Sequence, residues 1–279
     1  MSFKFKFLGT GTSVGVPQIG CSCPVCTSAD PRDKRRRCGA YVSSGSGAFL
    51  IDTPPEMREA CIEYGINKVD AVLLTHSHMD HIACFDDIRR VNTINGTRVD
   101  CSPDYPGAIG RTSRIVGKPL TCYALPETIA SMRTIFPYIS VKGGERGLYR
   151  PQIEFVENTA PFTLCDLNIE SIAVSHGFPC CGYVISNSSS RLAYISDCHE
   201  IDDKIITKLK SVDVLILNCL REREHATHLS LSRALSYISD IAPSVAYLTH
   251  MCHDLSHVQW LAKLPSGIIP AHDGLEIVL

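Results

Sequence analysis

Short apolar runs recur along the chain and have the patterns expected of β-strands. The first residues, up to Leu8, alternate polar and apolar side chains, which is typical of a strand with one buried face. Ala71–Leu74 and Val214–Leu217 are apolar throughout, as strands covered on both faces are. The predicted strands are Phe3–Leu8, Ala48–Ile51, Ala71–Thr75, Ile169–Val174, Tyr183–Ser186, Arg191–Ile195, Val214–Leu217 and Val245–Thr249.

Longer helical stretches alternate with these runs. Two of them follow residues of the type that caps helix N-termini, Ser230 and Asp254. Strands buried on both faces, together with helices, predict β-sheets sandwiched between helical layers. The predicted helices are Pro126–Ile135, Asp202–Lys210, Leu231–Ile241 and Leu255–Leu264.

One segment departs from this alternation. Asn95–Pro119 is rich in Gly, Pro and Ser and is too long for a simple connection. It predicts a functional loop or a partly disordered stretch.

Composition places the chain among ordinary globular proteins. Of its 279 residues, 44% are hydrophobic and 20% are charged, which excludes disorder as its general state. The net charge of −2 gives no reason to expect a long nucleic-acid partner. The basic run Arg32–Arg37 is short, and we interpret it as a solvated loop.

The sequence also bears on cellular location and on thiol chemistry. The N-terminal strand pattern is unlike a signal peptide and no segment has the length of a membrane span, which predicts a cytoplasmic protein. In that setting the 14 cysteines are expected to be free thiols or metal ligands. Most lie within apolar runs and are interpreted as small buried hydrophobic residues.

The densest chemistry lies at Thr75–His81, whose sequence is Thr-His-Ser-His-Met-Asp-His. An apolar strand ends there, so His76 and His78 leave it in an extended segment and can point the same way. Asp80 and His81 follow as the chain turns into a helix and can face a second position nearby. Imidazole and carboxylate groups suit zinc, iron or manganese. The motif therefore predicts a metal centre.

Further ligands are expected at the ends of other strands. His176, Asp197 and His250 each stand where a loop leaves the carboxyl end of a predicted strand. A single histidine in such a position is usually structural. Three such positions beside the dense motif predict a centre large enough for two metals.

These residues resemble the metallo-β-lactamase superfamily over nearly the whole chain. The matching features include the 76–81 motif, the segment Gly9–Ser13 after the first strand and Leu50–Asp52 ahead of the motif. The resemblance implies a single domain, residues 1–279, with a four-layer αββα sandwich fold. It also implies hydrolysis by a hydroxide held between two divalent ions, zinc or manganese.

The resemblance implies a division of the ligands between two metals. Asp80 is expected to be catalytic as well as a ligand, and Asp52 is expected to orient a ligand imidazole. The first metal would be held by His76, His78 and His176, the second by Asp80, His81 and His250, and Asp197 would bridge them.

A narrower resemblance is to the PhnP-type phosphodiesterases, which open cyclic ribose phosphates and carry a separate structural zinc. It is carried by the segment Gly15–Cys26, which ends in Cys-Ser-Cys-Pro-Val-Cys, and by Arg35–Arg37. The resemblance implies a structural zinc held by Cys21, Cys23, Cys26 and His253. Such a closed, thiolate-rich site would tie the N-terminal loop to the strand end that carries His250.

Two further groups are expected to face the substrate. His228 matches a histidine that phosphodiesterases of the superfamily place against the substrate phosphate, although a role in a helix-capping loop is the alternative. His225 competes for the same role by proximity. The hydroxyl groups of Thr10, Thr12 and Ser13 suit phosphoryl oxygens.

Together these features predict hydrolysis of a small, cyclic phosphodiester. Alternatives on the same fold are a tRNA 3′-processing nuclease, a glyoxalase-type thioesterase and a lactonase. An inactive interaction module and a purely structural zinc domain are the non-enzyme alternatives. Attack by a cysteine, with Cys198 the candidate, is a further alternative mechanism. The resembling enzymes suggest a homodimer.

Overall fold

Two seven-stranded mixed sheets form the centre of the fold. The computed structural model describes residues 2–100, 113–116, 118–139 and 151–279. The strands are β1 (Phe3–Gly9), β2 (Gly39–Ser44), β3 (Ala48–Ile51), β4 (Ala71–Leu73), β5 (Thr97–Asp100), β6 (Ser113–Val116), β7 (Leu120–Ala124), β8 (Ile153–Glu157), β9 (Phe162–Leu164), β10 (Leu167–Val174), β11 (Cys180–Ser186), β12 (Arg191–Ile195), β13 (Val214–Asn218), β14 (Val245–Thr249), β15 (Ile268–Pro270) and β16 (Glu276–Val278).

The helices have from 4 to 11 residues, and they lie on the outer faces of the sheets. They are α1 (Met57–Glu63), α2 (Met79–Ile82), α3 (Ile88–Ile94), α4 (Pro126–Ile135), α5 (Asp203–Leu209), α6 (Leu231–Ile241) and α7 (His257–Lys263). Among the described residues, no helix has both the length and the apolar character needed to cross a membrane.

Each large sheet joins an antiparallel half to a parallel half. The first has the order β16-β1-β2-β3-β4-β7-β8, and its strands run parallel from β3 to β8. The second has the order β15-β14-β13-β12-β11-β10-β9, with parallel pairing from β12 to β15. In each sheet, several strands therefore end at the same edge.

Three hydrophobic clusters fill the spaces between layers, which confirms the predicted αββα sandwich. The central cluster lies between the sheets, where the rings of Phe5 and Tyr194 approach to 5.4 Å between centroids. A second cluster packs the first sheet against α1 and α4, and a third packs the other sheet against α5, α6 and α7, where Trp260 is fully buried. Burial of this apolar area on both faces of each sheet stabilises the fold.

Asn95–Pro119 is more regular than predicted. Its two ends, β5 and β6, pair as an antiparallel ribbon in which Thr97 lies opposite Val116. The β-branched residues at both ends favour extended backbone, a signal that the glycines and prolines between them conceal. Residues 101–112 and 117 lie outside the described residues.

The predicted helix caps are correct in one case and wrong in the other. Ser230 occupies the N-cap of α6, but its hydroxyl donates to Glu224 Oε1, 2.6 Å away. The last helix begins later than predicted because Ser256, and not Asp254, is its N-cap. Ser256 and Gln259 form a reciprocal capping box there, which satisfies two otherwise unpaired amides.

The basic run Arg32–Arg37 is not simply a solvated loop. Arg35 is buried, and its guanidinium donates to the carbonyl oxygens of Cys252 and Leu255, with Asp33 at 3.5 Å. Buried arginine is stable when its donors are used in this way. The prediction failed because charge alone does not show which cation has buried carbonyls within reach.

Candidate active site and metal centres

The predicted site residues converge at the edge where strands of both sheets end. Buried apolar strands give way to polar residues at this edge, and side chains from neighbouring strand ends meet there. Asp52 follows β3, His76 follows β4, His176 follows β10, Asp197 follows β12, His228 lies between β13 and α6, and His250 follows β14. His78 is the extended N-cap of α2, so that Asp80 and His81 lie in its first turn.

The two predicted ligand groups are both assembled. His76, His78 and His176 can each offer an atom within 4.8 Å of the others, and the same holds for Asp80, His81 and His250. The His76 ring lies 4.5 Å from that of His78 and 5.1 Å from that of His176, measured between centroids. Their elements are far apart in sequence, so the sheet edge brings them together.

Asp197 lies between these two groups. Its Oδ2 is 3.1 Å from His81 Nε2, and its Oδ1 is 3.0 Å from His250 Nε2 and 3.8 Å from His176 Nε2. Oδ1 thus lies near a member of each group, and the carboxylate can reach both, as a bridging ligand must. This is the position that the sequence predicts for Asp197.

Several buried atoms here have no hydrogen-bond partner among the described residues. They include Nε2 of His76, His81 and His250, and Oδ2 of Asp197. Buried polar atoms without partners are costly, and folded proteins rarely retain them. Nitrogen and carboxylate donors directed at a common space fit divalent ions such as zinc or manganese, which would satisfy them.

Electrostatics in the cluster follow from burial and pairing. Burial acts to raise the pKa of Asp197, but His250 and His81 hold it well below its usual range. Burial acts to lower the pKa of His81, but Asp197 and Asp52 raise it well above its usual range. For His76, burial dominates and lowers the pKa, so this imidazole is neutral. A neutral imidazole has the lone pair that a metal requires.

Asp52 and Thr227 orient two of the histidines. Asp52 Oδ2 accepts from His81 Nδ1 at 2.7 Å, which turns His81 Nε2 towards Asp197. His176 Nδ1 donates to the carbonyl oxygen of Thr227 at 2.9 Å, which leaves its Nε2 for the site. Partners of this kind fix the tautomer and the orientation of a ligand imidazole.

Two residues of the site also have strained backbone. Asp52 and His250 have φ values of 62° and 59°, in the left-handed region that non-glycine residues rarely adopt. Such conformations cost about 1–3 kcal/mol and persist where the surrounding structure enforces them, often at functional sites. Thr75 contributes to that enforcement, since its amide and its hydroxyl both donate to Asp52 at 2.8 Å.

His228 lies against the cluster, as its predicted role requires. Its Nδ1 is 3.8 Å from Asp197 Oδ1, and its ring stacks on His250 with centroids 4.5 Å apart. Burial and the neighbouring His250 lower the pKa of His228 to about 2, so its imidazole is neutral. With His176 and Asp197 it also forms a group that could hold a metal. The ring of His225, the competing candidate, lies 5.2 Å from that of His228.

Asn218 is a residue of the site that sequence reasoning missed. It is fully buried, its Nδ2 donates to the carbonyl oxygen of Ser196 and its Oδ1 accepts from the amide of Leu229, so its amide orientation is fixed. Nδ2 also faces His228 Nδ1 at 3.4 Å. A polar residue at the end of the otherwise apolar strand β13 is the signal that could have found it.

The hydroxyl-rich loop after β1 differs from its prediction in one residue. Thr10 is fully buried and its Oγ1 donates to Asp273 Oδ1 at 2.8 Å, so its proton is already used inside the protein. Thr12 is almost buried, while Ser13 is exposed. The mechanistic alternative Cys198 is also buried, and burial raises the pKa of its thiol well above its usual value, which disfavours a nucleophilic thiolate.

The predicted cysteine cluster is assembled at the periphery. The sulfurs of Cys21, Cys23 and Cys26 lie 3.4, 3.5 and 3.3 Å from Nδ1 of His253. One ring nitrogen cannot hydrogen-bond to three thiols at once, whereas tetrahedral zinc, with bonds of about 2.3 Å to sulfur and 2.0 Å to nitrogen, places such atoms about 3.5 Å apart. The donor set therefore fits a closed zinc site. The backbone amide of Cys26 lowers the pKa of Cys23 to about 6.

Comparison with known proteins agrees with this geometry. The family model of the Beta-lactamase superfamily domain matches residues 48–251. A crystal structure of a diphosphatase from the PhnP family is 33% identical, with a TM-score of 0.84, and the match covers 100% of this chain and 98% of that one. The zinc-bound PqqB structure from Methylobacterium extorquens is 18% identical with a TM-score of 0.74, a likeness of fold.

A curated relative shares the sequence over a longer protein. The octanoyltransferase of Porphyromonas gingivalis is 33% identical over 276 residues, which is 98% of this chain but 51% of that protein. The chain thus spans about half the length of this relative. The strand-end histidines and acids, the sandwich fold and these matches together identify the chain as a member of the metallo-β-lactamase superfamily that belongs to the PhnP family.

Proposed function

We propose that this protein hydrolyses a small phosphodiester, with a cyclic ribose or nucleoside phosphate as the preferred substrate class. One observation carries the proposal: Asp197 lies between two three-residue ligand groups, with the further imidazole of His228 beside it. Two cations and a nearby donor suit a phosphoryl group, which presents several charged oxygens. An acyl substrate presents one carbonyl oxygen and needs less positive charge.

We assign His76, His78 and His176 to one metal, and Asp80, His81 and His250 to the other, with Asp197 between them. The four-residue cysteine cluster would hold a separate structural zinc. Divalent ions bound at the His/Asp centre would lower the pKa of a water and neutralise charge on the phosphoryl oxygens.

His228 would act as a hydrogen-bond donor to the reacting group. The fixed side-chain amide of Asn218 directs its Nδ2, a donor, at Nδ1 of His228. Nδ1 of His228 is therefore the acceptor, and the proton of the neutral imidazole resides on Nε2 of His228. Even a neutral imidazole can then donate Nε2–H to a phosphoryl or leaving oxygen, and the proposal needs no protonated His228. Asn218 is accordingly proposed as a positioning residue.

Cleavage of a diphosphate linkage is the second candidate. The observation favouring it is the 33% identity to the PhnP-family diphosphatase over nearly the whole of both chains. In both a phosphodiester and a substituted diphosphate, the phosphorus under attack carries charged oxygens and an oxygen leaving group. The proposed residues could act on either substrate. The Porphyromonas relative is named an octanoyltransferase, but this chain covers only 51% of that protein. Its name is therefore weaker support for acyl transfer than the PhnP-family match is for cleavage of a diphosphate. The net charge of −2 disfavours long nucleic acid, the substrate of a tRNA nuclease.

A substrate panel tests the proposal. Zinc- or manganese-loaded protein should hydrolyse bis(p-nitrophenyl) phosphate and a nucleoside 2′,3′-cyclic phosphate, and should leave p-nitrophenyl phosphate, the matching monoester, largely intact. Preferred cleavage of a dinucleoside diphosphate would favour the second candidate. Strong turnover of a thioester or lactone without activity on any diester or diphosphate would contradict both. Light scattering on the same samples tests the predicted homodimer.

A further inference from the structure

An exposed aromatic ring stands at the rim of the His/Asp centre. Phe178 is 42% exposed, and its ring centroid lies 5.4 Å from that of His78. Met79, which is 56% exposed, adjoins His78 in the sequence. Single exposed apolar residues are common on protein surfaces. Here, however, two large ones flank an exposed member of the proposed ligand set.

The loop that carries Phe178 is anchored at both ends. On one side, the amide of Ser175 donates to the carbonyl oxygen of Glu200 at 3.0 Å; on the other, the amide of Cys181 donates to the carbonyl oxygen of Thr75 at 3.0 Å. Between them Gly177, with φ of 77°, lets the chain turn so that His176 is buried and Phe178 is exposed. The ring is thus presented to solvent from a short, fixed loop.

We propose that Phe178 forms a stacking platform for the nucleobase of the substrate. This inference rests on the proposed function and narrows its substrate class to nucleoside phosphates over base-free sugar phosphates. In a nucleotide, one sugar separates phosphorus from base, and the Phe178 ring lies next to the ring of His78, a proposed ligand, with 5.4 Å between centroids. Aromatic rings stack on any base, because every base has a π-face.

The test compares two cyclic diesters that share the same chemistry. Adenosine 2′,3′-cyclic phosphate carries a base, and glycerol 1,2-cyclic phosphate carries none. Phe178→Ala should raise KM for the adenosine substrate about fivefold to a hundredfold, the scale of one lost stacking contact, with kcat nearly unchanged. Kinetics on the glycerol substrate should not change. Phe178→Tyr, which keeps a ring, should behave like the wild type.

A matched control and a binding measurement complete the test. Leu261→Ala removes a similarly exposed side chain (45%) from α7 and should change neither substrate. Calorimetry should show that Phe178→Ala weakens the binding of adenosine 2′-monophosphate but not of glycerol phosphate. Equal changes for both substrates, or unchanged nucleotide binding in a variant with wild-type thermal stability, would overturn the platform. If the wild type cleaves no diester, the proposed function fails, and the calorimetry still decides the platform.

Discussion

The two clusters of metal-type ligands among the described residues differ in their donor atoms and in the groups beside them. The cysteine cluster offers three thiols and one imidazole, all grouped about Nδ1 of His253. The His/Asp centre offers only nitrogen and oxygen donors, holds the extra imidazole of His228, and reaches solvent at His78. Closed thiolate sets bind zinc for structure, whereas sets with access for water and substrate support catalysis. From this contrast we propose that the cysteine cluster serves stability and the His/Asp centre serves chemistry.

The two clusters are nevertheless joined through one short segment. His250 belongs to the catalytic-type centre and His253, three residues later, belongs to the cysteine cluster. Buried Arg35 holds this segment by donating to the carbonyl oxygens of Cys252 and Leu255. Order at the cysteine cluster therefore supports the backbone that presents His250. A change at one cluster should affect the other by displacing the backbone between His250 and His253, and not through a shared ligand.

The largest effect is expected at Asp197. Asp197→Ala removes the carboxylate between the two ligand groups, and we expect metal content and activity to fall together, with turnover at the background level. Elemental analysis should find about three metals per wild-type chain, by counting ligand sets, and fewer in the variant.

Asp240→Ala, at an exposed position on α6, is the matched control and should retain both metal and turnover. A metal-replete Asp197→Ala protein, or wild-type protein with one metal or none, would contradict the proposed centre.

His228→Ala should separate a catalytic residue from a ligand. We expect full metal occupancy with turnover lower by about a hundredfold or more, the usual scale for a lost proton donor or charge stabiliser. His225→Ala, on the same loop, is the control and should have a small effect. Loss of a metal from His228→Ala would show that His228 is a ligand. Its grouping with His176 and Asp197 makes that outcome geometrically feasible. Wild-type turnover would support the loop role instead.

Sequence patterns predicted the elements that position the site more successfully than those at the periphery. Ala48–Ile51, Arg191–Ile195 and Val245–Thr249 are strands with the predicted bounds, because largely buried strands are rich in apolar residues. The edge strands β9, β15 and β16, with three residues each, were missed. Their short length and partial exposure leave too little periodicity to detect.

Motif density explains which site residues could be predicted. Histidines and acids at strand ends are conspicuous, and all the residues predicted to form the His/Asp centre lie together at one edge. Asn218 and Phe178 were missed, since an amide and a phenylalanine are common residues whose roles depend on the neighbours that the fold supplies. Conversely, the hydroxyl of Thr10 was predicted to face the substrate, but in the structure it donates a hydrogen bond to Asp273. Sequence identifies which donors are present, and tertiary contacts decide which of them are still available.

The smallest effect on chemistry is expected at the cysteine cluster, where the effect on stability should be large. Cys23→Ser removes one of four ligands, and we expect loss of one zinc and a melting temperature lower by about ten degrees or more, since structural zinc contributes directly to folding. Turnover per folded molecule should fall less than about tenfold, because the nitrogen and oxygen ligands are unchanged and His250 is displaced only through its backbone.

Cys61→Ser, a half-buried cysteine outside the cluster, is the matched control and should keep its zinc. Differential scanning calorimetry, elemental analysis and diesterase assays on the same preparations provide the three readouts. An unchanged melting temperature in Cys23→Ser would contradict the structural role of the cysteine cluster. Loss of activity at wild-type stability would instead show that the cluster takes part in catalysis, which would reverse the contrast between the two sites.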